Sequence, residues 1–210
     1  MSGTLIIISA ASGTGKTTLV SALCQELDNI KVSISCTTRP KRPGEQDGVD
    51  YYFVDKKKFQ AMIEAGEFLE HEIVFDNHYG TPRRYVEEQL AAGIDIILEI
   101  DWQGARDIRT LMPGQVMSIF ILPPTFATLE QRLRGRGKDS DSVIQRRVGE
   151  ALEEISHCTE FDYLVINDDL QRALGELKQI ISQRRLGNPP KKQELSTFVQ
   201  QLIAEGRHFQ

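Results

Sequence analysis

Four short apolar runs punctuate the chain: Leu5 to Ser9, Ile94 to Ile100, Met117 to Leu122 and Asp162 to Ile166. Unbroken runs of this length suit strands of a parallel sheet that is covered on both faces. Between them the apolar positions recur with helical spacing. Lys16 to about Leu27 carries Leu19, Val20, Leu23 and Leu27 on one stripe. Similar patterns predict helices over Arg84 to Ala92, Gly104 to Leu111, Thr125 to Leu133, Ser142 to Ser156 and Leu170 to Arg184. Strands alternating with helices imply right-handed crossovers, hence an α/β fold with a parallel sheet between helices.

Two stretches break that rhythm. Lys31 to Thr81 is polar and aromatic, with an alternating segment (Val32, Ile34, Cys36) and the run from Tyr51 to Val54. It reads as a small, partly antiparallel insert with one wet face. Arg132 to Lys138 is basic and Gly-rich, and reads as a mobile loop. The tail breaks at Gly187 to Pro190. Beyond it Leu195, Phe198, Val199, Leu202 and Ile203 form an apolar helical stripe. That stripe must bury against something, either its own domain or a second copy in a homo-oligomer.

Composition narrows the function without naming it. The chain of 210 residues is 40% hydrophobic and 26% charged, ordinary for one globular domain. A net charge of −5 gives no broad surface for nucleic acid or anionic membrane. No apolar stretch reaches the ~20 residues of a membrane helix, and Met1 to Thr4 leads directly into a strand with no signal core. Cys24, Cys36 and Cys158 lack metal-ligand spacing and read as small apolar fillers. A cytoplasmic protein is expected.

The first chemistry lies at Ala10, Ala11, Ser12, Gly13, Thr14, Gly15, Lys16, Thr17 and Thr18. Except at its first position the segment matches the phosphate-loop pattern G-x-x-x-x-G-K-[ST], and it sits between a buried strand and a helix start. Backbone N–H groups of such a loop surround phosphate oxygens at the positive end of the helix dipole. Lys16 would place a charge on the β- and γ-phosphates of ATP, and the Thr17 hydroxyl would ligate Mg²⁺. Alanine at position 10 predicts a negative φ there, since only a positive φ demands glycine.

Further motifs are independent of that loop: Thr37 to Glu45, Gly48 to Phe53, Phe68 to His71, Tyr79 to Thr81 and Glu99 to Gly104. With the phosphate loop, their order and spacing over about Gly3 to Arg184 resemble the guanylate kinase family. The resemblance implies a P-loop kinase core with a GMP-binding insert at about 33–83 and a mobile lid at about 125–147. A C-terminal extension follows at 185–210. It further implies transfer of the ATP γ-phosphoryl group to GMP, with Mg²⁺.

The acceptor residues also make sense chemically. Arg39 and Arg42 can fork a dianionic phosphate, with the hydroxyls of Tyr51 and Tyr79 completing the cage. Guanine donates from both N1 and its 2-amino group, so one carboxylate can accept from both, whereas adenine would leave that carboxylate unpaired. Such a site discriminates by about 10⁴. Glu70 is the candidate acceptor, with Ser35 and Thr81 donating toward O6 and N7; Gly80 lies in the same motif. Glu99 and Asp101 sit two apart at a strand end and so should share a face of the sheet. Asp101 is favoured for guanine and Glu99 for Mg²⁺-bound water, although the sequence does not assign the two.

The resemblance places Arg132, Arg136 and Arg147 over the ATP phosphates and Asn167 on the adenine side. Lys16, Arg39, Arg136 and Arg147 would carry catalysis. No general base is required, because the acceptor phosphate is already an anionic nucleophile. No residue is aimed at the sugar 2′-OH, so dGMP stays open as an acceptor. Two alternatives remain: a related P-loop kinase acting on another phosphate ester, and a non-catalytic guanylate kinase-like interaction module. The intact phosphate loop and the guanine-reading set argue against both.

Overall fold

A computed structural model describes residues 2–74, 76–135, 141–190 and 195–209. Five strands form one sheet in the order β2-β7-β1-β8-β9: β1 (Leu5–Ala10), β2 (Ile30–Val32), β7 (Asp95–Leu98), β8 (Val116–Leu122) and β9 (Tyr163–Ile166). The pairs β1–β7, β2–β7 and β8–β9 are parallel. Leu5 to Ile8, Ile96 to Leu98 and Met117 to Leu122 are buried, as their unbroken apolar runs require. A second, mixed sheet runs β4-β3-β6-β5. It comprises β3 (Cys36–Thr37), β4 (Tyr52–Phe53), β5 (Phe68–Val74) and β6 (Asn77–Pro82). The α/β class and the small mixed sheet are as expected. One boundary differs: Lys31 and Val32 pair with β7 in the parallel sheet, so the small sheet begins only after them.

The chain divides into two units, Met1–Ile7 with Asn29–Met117 and Ile8–Asp28 with Ser118–Gln210. The first holds the mixed sheet, α2 (Lys56–Glu64), α3 (Arg83–Ala91) and α4 (Trp102–Leu111). Helix α2 escapes the polar–aromatic reading of this region. Asp55 caps it by accepting from the Lys58 N–H, and Phe59 anchors it against Cys36 and Phe68. Phe59 and Phe68 stack at 4.5 Å, and the ring of Phe68 fills the space where a side chain at Gly80 would lie, 2.8 Å from its position. In β5 the pairing slips between Phe68 and Glu70, so Phe68, Leu69 and Glu70 are buried in succession. That bulge seats Glu70 opposite Thr81.

The second unit holds α1 (Lys16–Glu26), α5 (Phe126–Arg134), α6 (Asp141–Ser156), α7 (Leu170–Arg185) and α8 (Ser196–Arg207). Thr125 and Asp169 cap α5 and α7 through their side chains. The basic stretch starting at Arg132 is helical as far as Arg134; residues 136–138 lie outside the described residues. Helix α8 packs on α5 and α6 of its own unit, burying Val199 and Leu202. Gly206 meets the Phe126 ring so closely that a Cβ would stand 2.6 Å from it, and Phe126 stacks on Phe209 at 6.2 Å. The stripe therefore finds its cover within the chain. No described helix is long and apolar enough to cross a membrane.

Candidate active site

The phosphate loop follows β1 and ends at Gly15, which caps α1 with φ 96° and no side-chain hydrogen bond. Gly13 is also left-handed at φ 89°, whereas Ala10 is not among the positive-φ residues, as expected for alanine. No acid occupies the first turn of α1, so nothing in that turn competes with an anion for its N–H groups. The Thr14 N–H donates to the Ala11 carbonyl at 3.1 Å. The Thr14 hydroxyl is buried without a partner among the described residues. Lys16 is half-buried, while Thr17 and Thr18 are exposed.

Three predicted ATP-side residues brace this loop from other elements of the same unit. Arg132 of α5 donates to the carbonyls of Thr14 and Asn167, each at 3.1 Å. Asn167, just after β9, donates from its side chain to the Thr14 carbonyl at 2.7 Å. A Cβ on Gly15 would lie 2.7 Å from that amide nitrogen, so the glycine allows close approach as well as left-handed backbone. Arg147 of α6 donates to the Ser12 hydroxyl at 2.6 Å. The expectation for Arg136 lies outside the described residues.

In the first unit Arg39 is the centre of the basic cluster. It donates to Glu45 at 2.6 Å and to the Pro40 carbonyl at 2.8 Å, and lies 5.4 and 5.8 Å from the ring centres of Tyr51 and Phe53. Burial opposes its charge, but hydrogen bonds to Glu45 and Tyr79 outweigh that and hold the guanidinium above its ordinary range. The Tyr51 and Tyr79 rings meet edge to face at 5.9 Å. Burial, then Tyr79, pushes the Tyr51 hydroxyl up, with Arg39 pulling against them. Arg42 is exposed, and its backbone N–H donates to the other oxygen of Glu45 at 2.7 Å. Arg39, Tyr51 and Tyr79 therefore lie together, while Arg42 joins them through its backbone and Glu45.

Glu70 is 8% exposed. Its carboxyl is raised to about 7, first by burial and then by the nearby carboxylates of Asp101, Glu72 and Asp107; a hydrogen bond from Thr81 opposes the rise. The Thr81 hydroxyl donates to Glu70 Oε1 at 2.5 Å, so its proton serves the carboxylate and is not aimed at a base. That corrects the donor role expected of Thr81. Gly80 is a packing glycine beneath Phe68, and Ser35 is half-buried between β2 and β3.

The strand-face argument for Glu99 and Asp101 fails, because β7 ends at Leu98. Asp101 instead caps α4, accepting from the Gly104 N–H at 2.9 Å and from Gln103 at 3.2 Å. It acts electrostatically on Glu70 and Glu72, while Glu99 acts on Tyr51. The two acids thus act electrostatically on different groups, Asp101 on Glu70 and Glu99 on Tyr51.

Comparison with known proteins shows the family of the chain. The family model described as guanylate kinase matches residues 2–184. The chain belongs to the guanylate kinase family. It is 52% identical to the guanylate kinase of Coxiella burnetii over 199 residues, 95% of this chain and 96% of that one. It is 58% identical to the guanylate kinase of Hahella chejuensis over 184 residues, 88% of each chain. Among solved structures it resembles the crystal structure of guanylate kinase from Anaplasma phagocytophilum. That match has TM-score 0.73 and 37% identity, covering 89% of this chain and 87% of that one. Helix α8 lies beyond the span of the guanylate kinase family model.

Sequence reasoning missed three side chains and one glycine around the sites of this guanylate kinase family member. Glu45 bridges the Arg39 guanidinium and the Arg42 backbone; its place three residues after Arg42 was the available signal. Glu72 is raised to about 7 by burial and by a hydrogen bond with Asp107, a pairing that only the approach of α4 to β5 creates. Gly104 leaves room for Glu70, whose Oε2 lies 3.0 Å from where its Cβ would be. Glu154 accepts the Ser12 N–H at 3.1 Å across a separation of 142 residues. Among the described residues no group of three or more His, Cys, Asp or Glu side chains could hold a metal ion.

Proposed function

We propose that the chain transfers the γ-phosphoryl group of ATP to GMP, giving ADP and GDP. The observation that carries the acceptor assignment is the buried Glu70 carboxyl, held by Thr81 on the same sheet as Tyr79, the partner of Arg39. Ionised, Glu70 can accept from guanine N1–H and its amino group together; a base without both donors would leave a buried charge unpaired. Asp101 supports recognition on the Glu70 side. Arg39, Arg42, Tyr51 and Tyr79 supply donors for the acceptor phosphate.

An acceptor phosphate oxygen attacks the γ-phosphorus while the bond to the β–γ bridging oxygen breaks and ADP departs. Lys16 and the N–H groups of the phosphate loop bear the charge at the donor end. Arg147 and Arg136 would add charge on the equatorial oxygens. Arg132 and Asn167 keep the loop in shape through the Thr14 carbonyl. The donor set fits Mg²⁺ held mainly by nucleotide phosphates and water. Thr17, at the start of α1, offers one exposed hydroxyl. When bound, Mg²⁺ neutralises charge developing between the β- and γ-phosphates. A reducing, cytoplasmic setting is in keeping with three cysteines that form no disulfide, and dGMP is a second candidate acceptor.

A coupled ADP-release assay against GMP, dGMP, AMP, UMP and CMP tests the proposal. GMP should exceed AMP in kcat/KM by about 10⁴. Preference for any other base, or ATP turnover independent of GMP, would overturn it.

A further inference from the structure

On the donor side, helix α6 touches the phosphate loop twice at one residue. Glu154 Oε2 accepts the Ser12 backbone N–H at 3.1 Å, and Arg147 donates to the Ser12 hydroxyl at 2.6 Å. The two side chains are seven residues apart, two helical turns, and therefore lie on one face of α6. A carboxylate beside a polyphosphate cradle opposes the ligand's charge, so its presence calls for a structural return. The loop explains it. A backbone N–H removed from water needs an acceptor, and Ser12 finds one in Glu154, which leaves the anion-facing donors to begin beyond it.

We propose that Glu154 is a positioning residue of the donor site. Its carboxylate grips Ser12 and, with the Arg147 contact, fixes how far α6 and its arginine stand from the phosphate loop. Behind α6, Leu152 packs against Gly206 of α8, so the helix is held on a second side as well. Glu154 acts through Ser12 and Arg147 and does not itself meet the nucleotide. This inference rests on the ATP-binding reading of the loop and adds to it the residue that sets its geometry.

Three variants of the full chain separate the hydrogen bond from the charge. Glu154→Ala removes both; Glu154→Asp keeps the charge but withdraws the acceptor by one methylene; Glu154→Gln keeps an acceptor oxygen at the same reach. Loss of this charge-assisted bond should raise the KM for ATP about tenfold in Glu154→Ala and several-fold in Glu154→Asp. Glu154→Gln should stay within about threefold of the unsubstituted chain, and the KM for GMP should move less than about twofold in all three.

Thermal melting gives a readout independent of turnover. The ATP-induced rise in Tm should shrink in the Ala and Asp variants and persist in Gln, with the GMP-induced rise unchanged. If the Ala variant does not fold, the Asp–Gln contrast decides. Any other pattern overturns the proposal, including equal rises in both KM values, which would indicate general loosening. An unsubstituted chain that binds ATP but does not phosphorylate GMP would sink the proposed reaction, while the melting shifts would still judge Glu154.

Discussion

Glu70→Gln couples the stability of this chain to its choice of acceptor. The folded environment raises the Glu70 carboxyl from an ordinary 4.5 to about 7, principally through burial. A folded state that holds its proton more tightly than the unfolded chain loses stability as pH rises from 4.5 to 7, and the penalty is complete above 7. A rise of that size corresponds to about 3 kcal/mol at pH 8.5 and to less than half of that at pH 5.5. Glutamine keeps an oxygen for Thr81 and cannot ionise. Urea unfolding should therefore show Glu70→Gln more stable by up to about 3 kcal/mol at pH 8.5, with the gain shrinking to about 1 kcal/mol at pH 5.5.

Function should move the other way. Guanine requires the ionised acceptor, so the unsubstituted chain should bind GMP about tenfold more weakly at pH 6 than at pH 9 through this group. The Gln variant should lose that dependence and about 10² or more in kcat/KM for GMP. Equal unfolding free energies at both pH values, or normal GMP turnover in the variant, would refute the assignment.

Three further substitutions probe separate parts of the structure. Lys16→Met should lower kcat by about 10³ or more while circular dichroism and Tm stay near those of the unsubstituted chain, because the lost charge acts on phosphate. Gly104→Ala gains helix propensity of up to about 1 kcal/mol but sets a methyl 3.0 Å from Glu70 Oε2. Steady-state kinetics should show the KM for GMP rising several-fold with Tm unchanged or higher, and an unchanged KM would remove Gly104 from acceptor recognition. Gly206→Val overpacks the Phe126 contact and should cost about 1–3 kcal/mol. Calorimetry should register a fall of several degrees in Tm, with the KM for GMP unaffected.

How much of this was legible in advance depended on the range of the interaction. Unbroken apolar runs marked β1 and β8 within a residue or two because a doubly covered strand has no polar face to interrupt it. The α1 stripe and the glycines of the phosphate loop were equally plain, since a left-handed φ leaves few substitutes for glycine. Helix α2 was hidden because Phe59, Met62 and Ile63 lie in a stretch whose aromatics and charges suggested strands and turns. The start of the small sheet was misplaced because alternation along Val32, Ile34 and Cys36 continues across the change from one sheet to the other.

Local chemistry written in a few adjacent residues, such as the glycine-rich turn between β1 and α1 and the arginines and tyrosines of the small sheet, was determined by the sequence itself. What each polar group does was decided by neighbours far along the chain. Thr81 became the partner of Glu70 because a bulge in β5 set them opposite each other. Asp101 became a helix cap because β7 stopped at Leu98. Glu154 met Ser12 only because α6 folds back onto the loop. A hydrogen bond is satisfied within about 3 Å, whatever the separation in sequence, and that distance exists only once the chain has folded.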